Sequence, residues 1–359
     1  MLRSFFHQYV DRYSPYKGGP ICYEDGCLYR GLISLYASTG EEGWIGYFKS
    51  FAEEQISPQG VIKGYVKDEY NIDNILSGRG FLHLYKLTGD ERYLKTINQL
   101  ADQLSTHPRT KGGNYWHKGR YQHQVWLDGL YMGLPFQIEY AQLKGDPALK
   151  RDAVDQLKGA IALMEIGQDG LLAHGYDEAR QQAWCDPATG LSSSHWARSL
   201  GWVAMALIDV YDLVDEAEFG ILKEKLISLY DRILALQTSY GAWLQVIDQP
   251  DLHGNYEESS ATAMFAYSFL KATRLGFDDK YRKAGEKAMD YLRTQVASTP
   301  PDDRSLQHIC CVAGLGGFDG VYRDGSPEYY ISETVVSNDI KGVGPFMMAY
   351  GEALLSEQD

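Results

Sequence analysis

The sequence has no excess of basic residues and no long apolar run. Its 34 Lys and Arg stand against 48 Asp and Glu, which gives a formal net charge of −14. Nucleic acids and anionic membranes attract proteins that carry a basic footprint, so this balance argues against both as partners. No apolar stretch reaches the roughly 18 residues of a membrane span. The first residues, MLRSFFHQYVDRY, lack the apolar core of a secretory signal, and we therefore expect a cytoplasmic protein.

Several chemical signatures are also missing. The cysteines are odd in number and match neither a disulfide framework nor a zinc spacing, which indicates reduced thiols. The AGLGG segment lacks the Lys-Ser/Thr that completes a phosphate-binding loop. No Ser-His-Asp elbow, metal-ligand spacing, haem motif or flavin motif is present. Nucleophilic-serine, metal-dependent and redox chemistry are therefore not indicated.

What the sequence does contain is a repeated helical hairpin and many aromatic residues. A small residue opens an apolar helix, a short turn such as Leu-Thr-Gly-Asp follows, and an amphipathic helix completes the unit. Gly and Asp in these turns are helix stop and start signals. The apolar helices are typical of buried elements and the amphipathic ones of outer elements. The opening helices begin near Gly31, Gly78, Gly129, Leu200, Ala261 and Gly342.

Six such units predict an all-α (α/α)6 barrel, a toroid of twelve helices that spans residues 1–359 as a single domain. The sixth opening helix lacks a following partner, and the N-terminal helix around Leu2–Tyr13 could supply it and close the ring. A long open α-solenoid is the alternative. Segments that break the helical pattern should form the loops at the mouth of the barrel. These are Pro58–Asn71, Thr106–Gln124, Asp169–His195, Tyr240–Glu257 and Thr299–Asn338.

The segment His117–Phe136 contains a carboxylate at the start of an apolar opening helix, Asp128. Such a residue is commonly an N-cap or first-turn acid that the helix dipole stabilises. Alternatively it is a proton donor, which near neutral pH requires burial or a second carboxylate nearby. Asp73 precedes the previous opening helix at the equivalent point of its repeat. The two should therefore meet at one mouth of the barrel, as a pair able to perform acid–base chemistry on a sugar.

A third cluster lies in the segment Leu171–Trp202. Arg198 and Trp202 are four residues apart and share a helical face, and an Arg beside an aromatic plate is suited to a sugar carboxylate. A buried Arg paired with an Asp is the structural alternative. His117 and His174 are either site residues or satisfied core histidines. Despite the acidic chain, we expect the pit to be locally cationic around Arg198, His117 and Lys118.

At these residues the sequence resembles the unsaturated rhamnogalacturonyl hydrolases of glycoside hydrolase family 105, over nearly the whole chain. The segments that carry the resemblance are NIDNILSGRG, LTGDERYL, VWLDGLYMGLPF, HGYDE, WCDPATG, WARSLGW and RDGSPEYYISE, the last running on to NDIKGVGPFMMA. WARSLGW departs from the WGR-x-x-GW that is commoner in the family, and a Ser triplet precedes His195. The second departure bears on the subsite of the leaving sugar.

The resemblance implies an (α/α)6 barrel, no cofactor, and a disaccharide substrate with a 4,5-unsaturated galacturonyl residue linked to rhamnose, left by pectin lyases. It implies Asp128 as general acid and Asp73 as supporting carboxylate. The substrate-binding residues that the sequence predicts are Tyr23, His117, Lys118, Trp126, His174, Arg198 and Trp202. Of these, Trp126 and Trp202 would stack on sugar rings, and Arg198 would bind the carboxylate together with His117 or Lys118.

Three rivals remain at this level. A related family that acts on unsaturated glucuronyl disaccharides of glycosaminoglycans shares the barrel and an Asp pair. A sugar epimerase on the same barrel would need two central histidines, for which His174 and His308 are available. A helical-repeat binding protein would need an open concave surface.

Overall fold

The computed structural model describes residues 1–165, 170–298 and 303–357. The single domain predicted for residues 1–359 extends over residues outside this description. So do two of the predicted mouth loops, at Asp169 and at residues 299–302.

The described chain is mainly helical, with short strands in the connections. The helices are α1 (Leu2–Asp11), α2 (Tyr23–Thr39), α3 (Glu42–Gln55), α4 (Leu76–Thr88), α5 (Glu91–Thr106), α6 (Leu127–Lys144), α7 (Pro147–Met164), α8 (Ala197–Leu213), α9 (Glu216–Phe219), α10 (Leu222–Ala235), α11 (Ser259–Arg274), α12 (Lys280–Gln295), α13 (Pro327–Ser332) and α14 (Ile340–Ser356). The strands are β1 (Gln124–Trp126), β2 (Gly175–Asp177), β3 (Val296–Ser298), β4 (Arg304–Leu306), β5 (Ile309–Cys310), β6 (Gly316–Phe318), β7 (Val321–Arg323) and β8 (Val335–Val336). They pair as the antiparallel ribbons β1–β2, β3–β4, β5–β8 and β6–β7.

Helices α2, α4, α6, α8, α11 and α14 form a closed inner ring. Each packs against the next, and α14 returns to α2. This last contact is close because it is made through glycine: a Cβ on Gly344 would lie 2.7 Å from the carbonyl oxygen of Cys27. The predicted (α/α)6 barrel is therefore confirmed, and the open solenoid is wrong.

The outer helices follow the inner ones in sequence, and α1 supplies the missing partner of α14. The Phe6 ring meets the Phe346 ring edge-on at 5.3 Å between centroids. Burial divides the two layers as the sequence pattern predicts. Every residue of α8 from Ala197 to Val210 is buried, whereas α12 buries mainly the stripe that contains Tyr281, Ala288 and Leu292.

The two ends of the ring differ in their connections. At the C-terminal ends of α2, α4 and α6 the chain turns at once into an outer helix, through Gly40, Gly89 and Gly145 with φ between 65° and 68°. These left-handed positions favour glycine. The long connections all lead into the N-terminal ends of the inner helices, so they gather at one mouth. In the described part of the chain no helix combines the length and apolarity of a membrane span.

A buried ion cluster lies among the inner helices. Asp209 on α8 accepts from Arg79 Nη1 at 2.6 Å, from Lys271 Nζ at 2.8 Å and from the Tyr267 hydroxyl at 2.6 Å. Arg79 also contacts Glu139 at 2.8 Å. Burial alone would raise the pKa of Asp209, but Lys271 and Arg79 outweigh it and hold that pKa below its ordinary value. The cluster therefore fixes four inner helices against one another.

Replacement of Asp209 by Asn is expected to lower the free energy of unfolding by about 3–5 kcal/mol, because it leaves buried cations without their partner. Asp212 is the matched control, since it contacts the same Lys271 at 2.9 Å but is 40% exposed. Asp212→Asn should cost no more than about 1 kcal/mol. Denaturant unfolding of both variants measures the difference, and equal losses would contradict the role of the cluster.

Candidate active site

A cavity of about 840 Å³ opens at the mouth where the long connections gather. This volume lies within the ordinary range of small-molecule sites, about 300–1,000 Å³. Its lining includes Tyr16, Lys17, Tyr23, Glu24, Asp68, Glu69, Tyr70, Asp73, Trp116, His117, Lys118, Arg120, Tyr121, Trp126, Asp128, Cys311, Phe318, Arg323 and Lys341.

Three of the five predicted mouth loops supply this lining: Pro58–Asn71, Thr106–Gln124 and the described part of Thr299–Asn338. No cavity-lining residue comes from Tyr240–Glu257 or from the described part of Asp169–His195. A further lining segment, the connection between α1 and α2 that carries Tyr16 and Lys17, was missed.

The second residue of four inner helices is charged. It is Glu24 in α2, Asp128 in α6, Arg198 in α8 and Lys341 in α14. Because the inner helices start at the same mouth, this position repeats as a layer around the ring. Sequence reasoning found Asp128 and Arg198 but missed Glu24 and Lys341. Their shared position at the start of an apolar helix is the signal that could have found them.

Asp73 and Asp128 both line the cavity, where the equivalence of their repeats places them. Asp73 lies in a 3-10 turn, Ile72–Ile75, that leads into α4. Its Oδ2 is 2.5 Å from Lys118 Nζ, and its Oδ1 is 3.8 Å from His117 Nε2. The Asp128 side chain is 14% exposed. Asp73 thus has a lysine partner, while Asp128 lines the cavity and has no Lys or Arg within 4 Å in the described ranges.

Burial and charge set opposite ionisation preferences around Asp73. Burial alone would raise its pKa, but Lys118 and His117 outweigh burial and the pKa of Asp73 lies below its ordinary value. Burial lowers the pKa of His117 to about 3, in spite of the attraction of Asp73. At neutral pH the site therefore contains an ionised Asp73 and a neutral His117.

An aromatic stack forms one wall of the cavity. The indole of Trp126 packs on the His117 ring at 4.2 Å between centroids and on the Tyr121 ring at 4.7 Å. Trp126 Nε1 donates to Gln124 Oε1 at 3.1 Å. Trp126 is only 4% exposed, so it shapes the wall and offers little free ring surface.

His174 lies behind Asp128 and does not line the cavity. It is fully buried, and its Nδ1 is 2.7 Å from the Tyr330 hydroxyl. Its Nε2 is 3.1 Å from Asp128 Oδ2, although the two groups are not aligned for a hydrogen bond. His174 was predicted to bind substrate; in the structure it lies against Asp128 and is separated from the cavity.

Arg198 does not reach the cavity either, which corrects the sequence-based interpretation. Its guanidinium is buried, donates to Ser260 Oγ at 2.8 Å and to the carbonyl of Cys310, and lies 3.6 Å from Glu258. The structural alternative of a buried, paired Arg describes it better, although the partner is a Glu and not an Asp. Its N–H donors are occupied because the start of α11, which carries Ser260, and strand β5, which carries Cys310, cover the start of α8.

Trp202 is likewise a core residue. It is 1% exposed, packs on the Tyr131 ring at 5.3 Å and meets the Tyr23 ring edge-on at 6.4 Å. Trp202 lies one helical turn further into α8 than Arg198, so its side chain is in the core beneath the cavity. It supports Tyr23 from behind and offers no ring face to a sugar.

The cavity lining contains five basic and five acidic residues, and its basic side chains without a carboxylate partner are not the ones expected. Lys118 is paired with Asp73, but Lys17, Arg120 and Arg323 have no carboxylate within 4 Å in the described ranges. Arg323 is 7% exposed. It donates to the carbonyls of Gly316 and Leu315 and to the Tyr121 hydroxyl at 2.8–3.1 Å. A buried guanidinium held only by neutral acceptors keeps its charge available for an anion.

Comparison with known proteins decides the family. The model of Glycosyl Hydrolase Family 88 matches residues 5–356. The chain belongs to this family. A family 105 glycoside hydrolase from C. acetobutylicum ATCC 824 superposes with a TM-score of 0.88 at 36% identity, covering 92% of this chain and 93% of that one. This confirms the family 105 resemblance.

Two further relatives bear on the activity. The curated unsaturated rhamnogalacturonyl hydrolase YesR of Bacillus subtilis is 25% identical over 258 residues, 70% of each chain. Protein Atu3128 of Agrobacterium fabrum is 49% identical over 231 residues, 62% of this chain and 99% of its own length. The chain is thus a glycoside hydrolase of the unsaturated glycuronyl hydrolase group.

Proposed function

We propose that this glycoside hydrolase cleaves unsaturated galacturonyl-rhamnose disaccharides from pectin by hydration of the 4,5 double bond of the uronate, and that residues 1–359 act as one catalytic domain. The observation that carries the proposal is the pair Asp73 and Asp128 in one cavity, one ion-paired and the other free to face a ligand. Similarity to YesR supports rhamnogalacturonan as the source of the substrate.

In this mechanism Asp128 donates a proton to C4 of the unsaturated ring, and positive charge develops at C5 and the ring oxygen. A water molecule adds at C5 and releases a proton, which restores the acid. The resulting hemiketal opens and the bond to the leaving sugar breaks. Asp73, held beside Lys118, accepts a hydrogen bond from a ring hydroxyl of the uronate and orients the ring against Asp128. No cofactor takes part in these steps.

Binding of the uronate is assigned to the groups that line the cavity. Tyr23, His117 and Lys118 border the two carboxylates and keep substrate-binding roles in this proposal. Trp126 also lines the cavity but is 4% exposed, so it supports the His117 and Tyr121 rings and the ring stacking expected of it is not part of the proposal. The role expected for Arg198 passes to Arg323, because the Arg323 guanidinium lines the cavity and has no carboxylate partner in the described ranges. Arg recognises a carboxylate through paired donors.

The direct test is an assay with disaccharides made by polysaccharide lyases, followed through loss of the uronate double-bond absorbance. Unsaturated galacturonyl-rhamnose should be consumed faster than unsaturated glucuronyl disaccharides from glycosaminoglycans. The reverse order would favour the glucuronyl hydrolase alternative. Persistence of the absorbance in both reactions would overturn the proposal.

The epimerase and binding-protein rivals lose their structural basis. His308 is exposed and bonds Gln295 at 2.7 Å, whereas His174 is buried against Tyr330, so they do not form a pair. The inner ring is closed around a pit and presents no open concave surface.

Replacement of Arg323 by Ala is expected to lower kcat/KM for the uronyl substrate by about 30-fold or more, since loss of one partner of a buried charge pair costs roughly 2 kcal/mol or more. Arg323→Lys should recover only part of this, because the planar fork is lost. Arg282→Ala on the exposed face of α12 is the control. Kinetics on the free acid and on its methyl ester test the assignment: the ester should be insensitive to the change at Arg323. An equal loss on both would contradict carboxylate binding.

Replacement of Asp73 by Asn is expected to move the alkaline limb of the pH–rate profile to lower pH. The reaction needs Asp128 protonated, so the rate falls as rising pH removes that proton. Asp73 carries negative charge at neutral pH because its pKa is lowered, and its replacement by Asn leaves Lys118 as an unpaired cation, which favours the ionised form of a nearby carboxyl. Asn removes the negative charge, so Asp128 loses its proton at a lower pH. Profiles of kcat for both proteins measure the shift, and an unmoved or upward-shifted limb would contradict the coupling.

A further inference from the structure

Glu24 is a buried carboxylate of the cavity for which the mechanism has no use. It is the second residue of α2, is 7% exposed and lines the cavity beside Tyr23. Its Oε2 is buried and has no hydrogen-bond partner among the described residues. A buried carboxylate oxygen without a partner is costly to keep, which points to a ligand that completes it.

The charged groups near Glu24 do not satisfy it. Lys341, the second residue of α14, donates its Nζ to Asp339 at 2.8 Å and to the Tyr16 hydroxyl at 3.2 Å. Lys17 on the α1–α2 connection also faces Glu24, yet neither lysine lies within 4 Å of its carboxylate oxygens. Burial raises the pKa of Glu24, with Lys341 and Lys17 offsetting only part of the effect. The group thus keeps free hydrogen-bonding capacity toward the cavity.

The neighbouring acid, Asp25, shows what a structural carboxylate looks like at the same helix start. Asp25 is fully buried and accepts from the Tyr13 hydroxyl at 2.7 Å, the Tyr16 amide at 2.9 Å and Gln55 Nε2 at 2.7 Å. These bonds hold the α1–α2 connection over the cavity. The Glu24 carboxylate accepts from the Cys22 thiol and from its own backbone amide, but its Oε2 has no partner in the described chain, so packing alone does not explain it.

The ring order indicates which part of the substrate Glu24 would meet. Asp128 starts α6, Asp73 precedes α4, and Glu24 starts α2, on three successive inner helices. Adjacent helix axes are about 8–10 Å apart. A uronate held between Asp128 and Asp73 therefore has Glu24 one helix further along the ring, on the far side of Asp73.

We propose that Glu24 binds a hydroxyl of the leaving sugar and so determines which leaving sugar the enzyme accepts. This inference rests on the proposed function and deepens it. A carboxyl is suited to the task because it can accept from a sugar hydroxyl with either of its oxygens. A site built around such a bond discriminates against a leaving group that cannot make it, because the buried carboxyl is then left unpaired.

The test compares two substrates with the same unsaturated uronate, the rhamnose disaccharide and the methyl glycoside. Glu24→Met keeps a side chain of similar length but cannot form the hydrogen bond. It should lower kcat/KM on the disaccharide by about 10–100-fold, the range of a hydrogen bond to a charged group, and leave the methyl glycoside unaffected. Glu24→Gln should recover part of the loss. Glu42→Met is the control, because Glu42 is an exposed first-turn acid of the outer helix α3.

Thermal unfolding separates this role from a structural one. Because Glu24→Met removes a buried carboxylate oxygen without a protein partner, its Tm should equal or exceed that of the wild type. A lower Tm with equal losses on both substrates, or activity unchanged on both, would overturn the inference. Failure of the wild type to cleave either glycoside is a separate result, because it would overturn the proposed function itself and this inference with it.

Discussion

Replacement of Asp128 by Asn is expected to reduce kcat by at least about 10²–10⁴-fold while the substrate still binds. Asn preserves the shape of the side chain but cannot act as an acid, and a general acid contributes rate enhancement of this order. Because binding contacts survive, KM should change much less than kcat. Steady-state kinetics of the purified variant, with binding to the inactive enzyme measured by calorimetry, give both quantities.

Asp155→Asn provides the control for that experiment. Asp155 lies on α7, the outer partner of α6, and is 61% exposed, so the same chemical change should leave kcat unaltered. Retention of most activity in Asp128→Asn would remove Asp128 from the role of acid. Weakened binding with unchanged kcat would instead make it a binding residue.

Substrates with a saturated uronate are expected to be inert, because they have no double bond for Asp128 to protonate. For the unsaturated substrate, reaction in heavy water should place one deuterium at C4 of the uronate product. Mass spectrometry and NMR at early times measure this incorporation. The methyl glycosides of the saturated and unsaturated uronates form a matched pair that differs only in the bond under test.

Exchange after the reaction has to be separated from transfer during it. C4 of the product lies next to the C5 ketone and can exchange by enolisation. Preformed product kept in heavy water for the same time therefore measures the exchange to be subtracted from the deuterium found at early times. Efficient cleavage of the saturated glycoside, or product without deuterium at C4, would show attack at the anomeric carbon and an ordinary glycosidase mechanism.

The position of the carboxylate pair could be predicted from the sequence because it follows from the repeated helical hairpin. Asp73 and Asp128 precede or begin successive apolar helices, and parallel inner helices start at the same end of a ring. The pairing of Asp73 with Lys118 was not accessible, since Lys118 lies 45 positions further along the chain, in a loop whose path is set by its packing against the 3-10 turn before α4.

Arg198, Trp202 and His174 show the limit of reasoning from motifs. All three lie in segments that resemble the family, but a one-dimensional pattern does not distinguish a side chain that lines a cavity from one directly behind it. Arg198 forms an ion pair with Glu258 and a hydrogen bond with Ser260, and His174 forms a hydrogen bond with Tyr330. Their partners are 60 to 156 positions away, so the decision belongs to contacts between distant segments.

Arg323 and Glu24 illustrate the opposite case. The sequence places Arg323 only within a predicted mouth loop and Glu24 only at the charged second position that four inner helices share. Neither position by itself distinguishes a site residue from a solvated charge. Only folding buries them at one cavity with few or no charged partners.

By itself the sequence determined the helical repeat, the closed ring and the end of the ring where the acid pair lies, because helix periodicity and turn chemistry act over a few residues. The tertiary structure alone decided which charged side chains are neutralised and which remain available to a ligand. That distinction depends on burial and on partners that the chain brings together only when it folds.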